Sequence, residues 1–141
     1  MGKINVGRLI LGGIVAGIAI DLLDYFVDGV WLAQRWADGM AQLGRTAFSP
    51  TQIIWFNMIG IATGIMAVWI YVAIRPRFGA GIKTAISAGV VVWLLSTLFP
   101  NAGFMYVAKL FSSHLTLYTT LGGLVEVVVG TVAGASVYRE T

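Results

Sequence analysis

From Pro50 to Ile74 no side chain carries a charge. A helix rises 1.5 Å per residue, so this stretch reaches about 37 Å, more than the ~30 Å hydrocarbon core of a bilayer. Its start is marked by Ser49 as a cap, Pro50 at the first helical position and Gln52 three residues after the cap. Arg75-Pro76-Arg77 marks its end. Three other stretches share this apolar character, at about 6–31, 81–99 and 116–138. The fold expected is all-α: one domain over residues 1–141, a four-helix transmembrane bundle whose apolar faces contact the lipid bilayer. Residues 29–48 form a short interfacial helix in the first external loop, with Gly44 as terminator. Composition agrees, since only 11% of residues are charged against about 25% in soluble domains.

Lys3, Arg8, Arg75, Arg77, Lys83 and Arg139 collect at one side of such a bundle, and only Arg35, Arg45 and Lys109 at the other. The positive-inside rule then places both termini in the cytoplasm. The net charge of +3 resides at helix ends, where topology explains it, so it does not point to nucleic acid. Trp55, Tyr106 and Tyr118 fall near the outer interface, and Trp69, Tyr71 and Tyr138 near the inner one. The lead before Leu9 imitates a signal peptide only loosely, because apolar character resumes beyond Asp21.

The chain has six acidic residues, and three of them, Asp21, Asp24 and Asp28, follow one another in the first span. At 100° per residue they share an arc of roughly 80° with Gly13 and Gly17. A fourth, Glu126, lies midway along the last span on a face of glycines. A central carboxylate is costly in lipid and marks a functional-site hypothesis. Counting helix rise puts Asp21 and Glu126 about 4 and 2 Å outward of the midplane, and Asp24, Asn57 and Ser96 roughly 7–9 Å outward. The proton- or cation-binding set expected is therefore Asp21, Asp24, Glu126, Asn57 and Ser96, with Asp28 at the interface. Carboxylates without a basic partner in low dielectric hold protons, share one, or bind a cation. The alternative is a protonated Glu126 that bonds neighbouring helices together.

Gly13, Gly17, Gly60, Gly64, Gly130 and Gly134 are the candidate helix-packing residues, with Gly60/Gly64 and Gly130/Gly134 as GxxxG pairs. They suit close packing within the bundle or in a homo-oligomer. His114 is the single histidine and the weakest metal candidate. With no cysteine beside it, neither an enzyme nor a cofactor is expected, and a haem or pigment carrier is the least favoured class.

Three segments carry a resemblance: INVGRLILGG at 4–13, AIRPRFGAGIKTA at 73–85 and LGGLVEVVVG at 121–130. Together they resemble a group of small bacterial four-span membrane proteins without an assigned activity. The resemblance implies the bacterial inner membrane and a four-helix count, and it transfers no functional residue. The leading expectation is a proton- or cation-responsive binding or transport-linked bundle. The rival is a structural accessory subunit of a larger membrane complex.

Overall fold

A computed structural model describes residues 4–46 and 48–140, so Lys3 lies outside the described residues. Five helices follow in order: α1 Val6–Trp31, α2 Ala33–Gln42, α3 Pro50–Phe78, α4 Ile82–Ala108 and α5 Ser113–Val137. All but α2 are long and apolar enough to cross a membrane, the architecture of a multi-pass all-α membrane protein. Their starts are encoded locally. Asn5 Oδ1 accepts from the Arg8 amide at 3.0 Å, and Ser112 Oγ accepts from the Leu115 amide at 3.2 Å. Ser49 and Gln52 form a full capping box, each side chain accepting from the other's backbone.

Helix α1 lies between α3 and α5, with α4 on the far side against α5 and α3. Neighbours in sequence run antiparallel. Gly13 and Gly17 of α1 face Ile65 and Ile61 of α3, while Gly12 faces Gly134 of α5. Lipid tails are as apolar as the side chains, so contact between helices depends on how closely backbones approach. A Cβ added at Gly64 would stand 2.5 Å from the Gly13 carbonyl oxygen, and one at Gly130 2.8 Å from that of Ala16. Gly134 and Gly60 are filled just as closely, by Gly12 and Ala16 and by Asp21. The small faces of α1, α3 and α5 are thus occupied within one chain.

Two prolines fail to stop their helices. α3 continues past Pro76 to Phe78 and ends at Gly79, whose φ is +82°. Pro76 lies in the last turn, where few bonds remain to lose, and the Thr84 hydroxyl donates to the Gly79 carbonyl at 2.7 Å. α4 continues past Pro100 to Ala108 instead of closing near Phe99. The turn before this proline, Leu94–Leu98, is wound as a π-helix with i→i+5 bonds. That wider turn gives the ring room an α-turn denies it. A second π segment, Gly103–Ala108, ends at Lys109 in the left-handed region, φ 51°.

Two expected interfacial aromatics are internal. Tyr71 and Tyr138 are only 4% and 5% exposed. Their rings lie 6.5 Å apart, and each sits beside the Arg75 guanidinium, at 5.6 and 5.2 Å. The cation draws both rings inward at this end of the bundle, and Arg75 also pairs with Glu140 at 3.2 Å.

Candidate acidic site

Glu126 is 5% exposed, and its Oε1 is buried without a hydrogen-bond partner among the described residues. Its burial is prepared one turn earlier by Gly122 and Gly123. A Cβ at Gly122 would stand 2.7 Å from Val27 of α1, and one at Gly123 2.8 Å from Thr97 of α4. Both neighbours therefore close over α5 where the carboxylate projects. Long side chains on a helix lean toward its N-terminus. Glu126 thus leans toward the end of the bundle where α5 begins and α1 finishes.

Asp24 and Asp28 come from that finishing end of α1. One carboxylate oxygen from each of Asp24, Asp28 and Glu126 lies within 4.8 Å of the other two. Asp28 Oδ1 also accepts from Trp36 Nε1 of α2 at 2.7 Å. The three acids line a cavity of about 410 Å³. On the α4 side, Thr97 and Asn101 line it as well, and Asn101 is fixed by donating from Nδ2 to Thr120 Oγ1 at 2.9 Å. Among the described residues, no lysine, arginine or histidine lines the cavity. Two unit charges 4.8 Å apart repel by about 3.5 kcal/mol at an effective dielectric near 20. Three ionised carboxylates would repel in three such pairs, a repulsion that a proton or a cation among them would relieve.

Nearly half of the remaining lining residues are aromatic. Trp36 meets Phe48 at 5.8 Å and Phe111 at 5.2 Å between centroids, and Phe48 meets Phe56 at 5.5 Å, all edge to face. These four rings and Phe104 belong to the cavity wall. Three π-helical segments also border it, at Tyr25–Trp31, Leu94–Leu98 and Gly103–Ala108, contributing Asp28, Thr97 and Phe104. Such widened turns recur at functional sites because they re-aim side chains.

The structure brings together only part of the expected set. Asp24 and Glu126 meet, and Asp28, which the sequence reading left outside the set, joins them. Asp21 is not among the three. Its carboxylate packs on α3 in the space a Cβ of Gly60 would take. The depth count placed Asp21 level with Glu126 because it followed Cα positions alone. Side chains on antiparallel helices lean in opposite directions, which carries Glu126 toward Asp24 and Asp28 and away from Asp21. Asn57 donates to its own helix at Ile53 O, 3.0 Å, and faces a separate shallow pocket of α3. Ser96 is exposed, 3.3 Å from the Thr97 hydroxyl, and its neighbour Thr97 faces the cavity instead. His114 is exposed with its ring 6.5 Å from that of Tyr118, outside the cavity.

Sequence reasoning missed Trp36, Thr97, Asn101 and the phenylalanines. Asn101 carried a usable signal, a polar amide directly after a proline inside an apolar stretch. Trp93 anchors the same region by donating from Nε1 to Thr120 O at 2.9 Å. Comparison with known proteins leaves this site to be interpreted from its own geometry: no family model matches the chain, and no characterised protein or solved structure is significantly similar to it.

Proposed function

We propose that this protein is a binding or transport-linked membrane bundle whose carboxylate trio takes up a proton or a cation. The observation that carries this is Glu126 Oε1, buried and unpartnered beside Asp24 and Asp28. A buried acceptor left unmade costs about 1–3 kcal/mol, more when charged, and is seldom kept without a use. On this reading the carboxylates hold a proton or a cation and attack no substrate, so the protein is not an enzyme. The distribution of lysine and arginine supports a bacterial inner membrane with both termini cytoplasmic and the cavity nearer the outer face. A homo-oligomer or larger complex would assemble through the lipid-facing sides, because the glycine faces are filled within one chain.

The accessory-subunit reading draws support from Asp21 on Gly60 and from Asp28 bonded to Trp36, where carboxylates act as helix contacts. Thermal unfolding of Glu126→Gln in detergent separates the two. The wild type is expected to change its melting temperature with pH and with added cations, and the variant to lose most of that response. A wild type indifferent to both pH and cations would establish the structural reading.

A further inference from the structure

We infer that the cation accepted by this cavity is an organic one, an ammonium or related group carrying an apolar body. The inference rests on the trio being a cation site, as proposed above, and names its ligand class from the remainder of the wall. A bare divalent ion such as calcium seeks six to eight oxygen ligands. Here three carboxylates gather at one place, with Asn101 and three threonines also on the wall, but the larger part of the remaining lining is apolar, with Trp36, Phe48, Phe56, Phe104 and Phe111 among it. A hydrated inorganic ion gains nothing from such a wall. An alkylated or aryl ammonium gains twice, by ion pairing at the trio and by burying its body among rings that also attract cations. The volume of about 410 Å³ suits it, since small-molecule sites run from about 300 to 1,000 Å³.

Charge and geometry agree with this. Among the described residues nothing basic lines the cavity, so a positive ligand meets no opposing charge from them. Glu126 supplies the buried, unpartnered oxygen, while Asp24 and Asp28 are partly exposed and so within reach of an entering cation. Phe56 on α3 and Phe104 on α4 are 52% and 45% exposed. The aromatic wall is thus continuous with the lipid-facing surface, and an amphiphilic cation concentrated at the membrane interface has a direct way in. Trp36 joins the two halves of the site, since its indole lines the cavity while its Nε1 holds Asp28.

The test is equilibrium dialysis of the detergent-solubilised full chain against benzyltrimethylammonium and its uncharged isostere neopentylbenzene, with empty micelles as blank. Melting temperatures are recorded in parallel across pH and with calcium. Saturable binding of the ammonium is expected, at least tenfold tighter than the isostere. Glu126→Gln should weaken it at least tenfold. Phe104→Ala, at a half-exposed position that threatens folding little, should weaken it severalfold. Equal binding of the isostere would overturn the inference by showing an apolar pocket only. A wild type that responds to pH or calcium, but binds no ammonium, would overturn it while leaving the cation site standing. Indifference to all three would remove both.

Discussion

Replacing Gly64 with alanine adds one methyl group where a glycine of one described helix comes closest to the backbone of another. Its Cβ would fall 2.5 Å from the Gly13 carbonyl oxygen and 2.6 Å from Gly17 Cα, and the Gly17 amide nitrogen lies closer still. Non-bonded contacts are comfortable at about 3.5–4.0 Å, so α1 and α3 must part there by roughly 1 Å. All three obstacles are backbone, so no rotamer change relieves the clash. Parting by that distance forfeits a quarter to a half of the dispersion energy along the seam. Overpacking of this kind costs about 1–3 kcal/mol. The helical preference of alanine over glycine returns at most about 1 kcal/mol, and less where the unfolded state in detergent stays helical. The net expectation is a loss of about 1–2 kcal/mol, a fall in melting temperature of several degrees. Gly103→Ala is the matched control, because nothing lies within 4 Å of its Cβ position. It should melt at or slightly above the wild type. Thermal unfolding followed by circular dichroism in mild detergent measures both variants. If Gly64→Ala melts as high as Gly103→Ala, the helices are not held by glycine contacts and the packing account is wrong.

Two further outcomes follow from the site. Trp36→Phe keeps an aromatic ring in the wall but removes the 2.7 Å bond to Asp28; a bond to a charged group is worth about 1.5–3 kcal/mol, so cation titrations should weaken severalfold or more, and an unchanged titration would detach Trp36 from the site. Thr120→Val leaves Asn101 Nδ2 without its 2.9 Å acceptor, and Thr120→Ser preserves it; a melting temperature lowered in the valine variant, by about 1–3 kcal/mol in stability, and recovered in the serine variant is the expected pattern, whereas equal loss in both would assign the effect to packing.

The sequence by itself determined the fold class and much of the punctuation. Uncharged length forces helices across lipid, because every backbone amide and carbonyl must be satisfied within the segment. The capping box at Ser49 and Gln52 is local chemistry and appears where its residues stand. The end of α3 was placed too early at Pro76 for a tertiary reason, since Thr84 takes the carbonyl at the true end, and at Pro100 a π-turn makes room for α4 to continue. The candidate site was half legible. Glu126 was visible as a carboxylate at the centre of a span, and Asp24 as a member of the same acidic set. Which aspartate completes the trio was not visible, because that depends on the lean of side chains from antiparallel helices and on the space left by glycines. Gly60 leaves room that draws Asp21 to α3, while Gly122 and Gly123 let α1 and α4 close over Glu126. The aromatic wall was illegible for the same reason. Trp36, Phe48, Phe56, Phe104 and Phe111 are far apart in sequence and each is an ordinary membrane residue alone. Only the tertiary structure sets them around three carboxylates, because distance between helices is decided by packing and leaves no trace in the spacing of residues along any one of them.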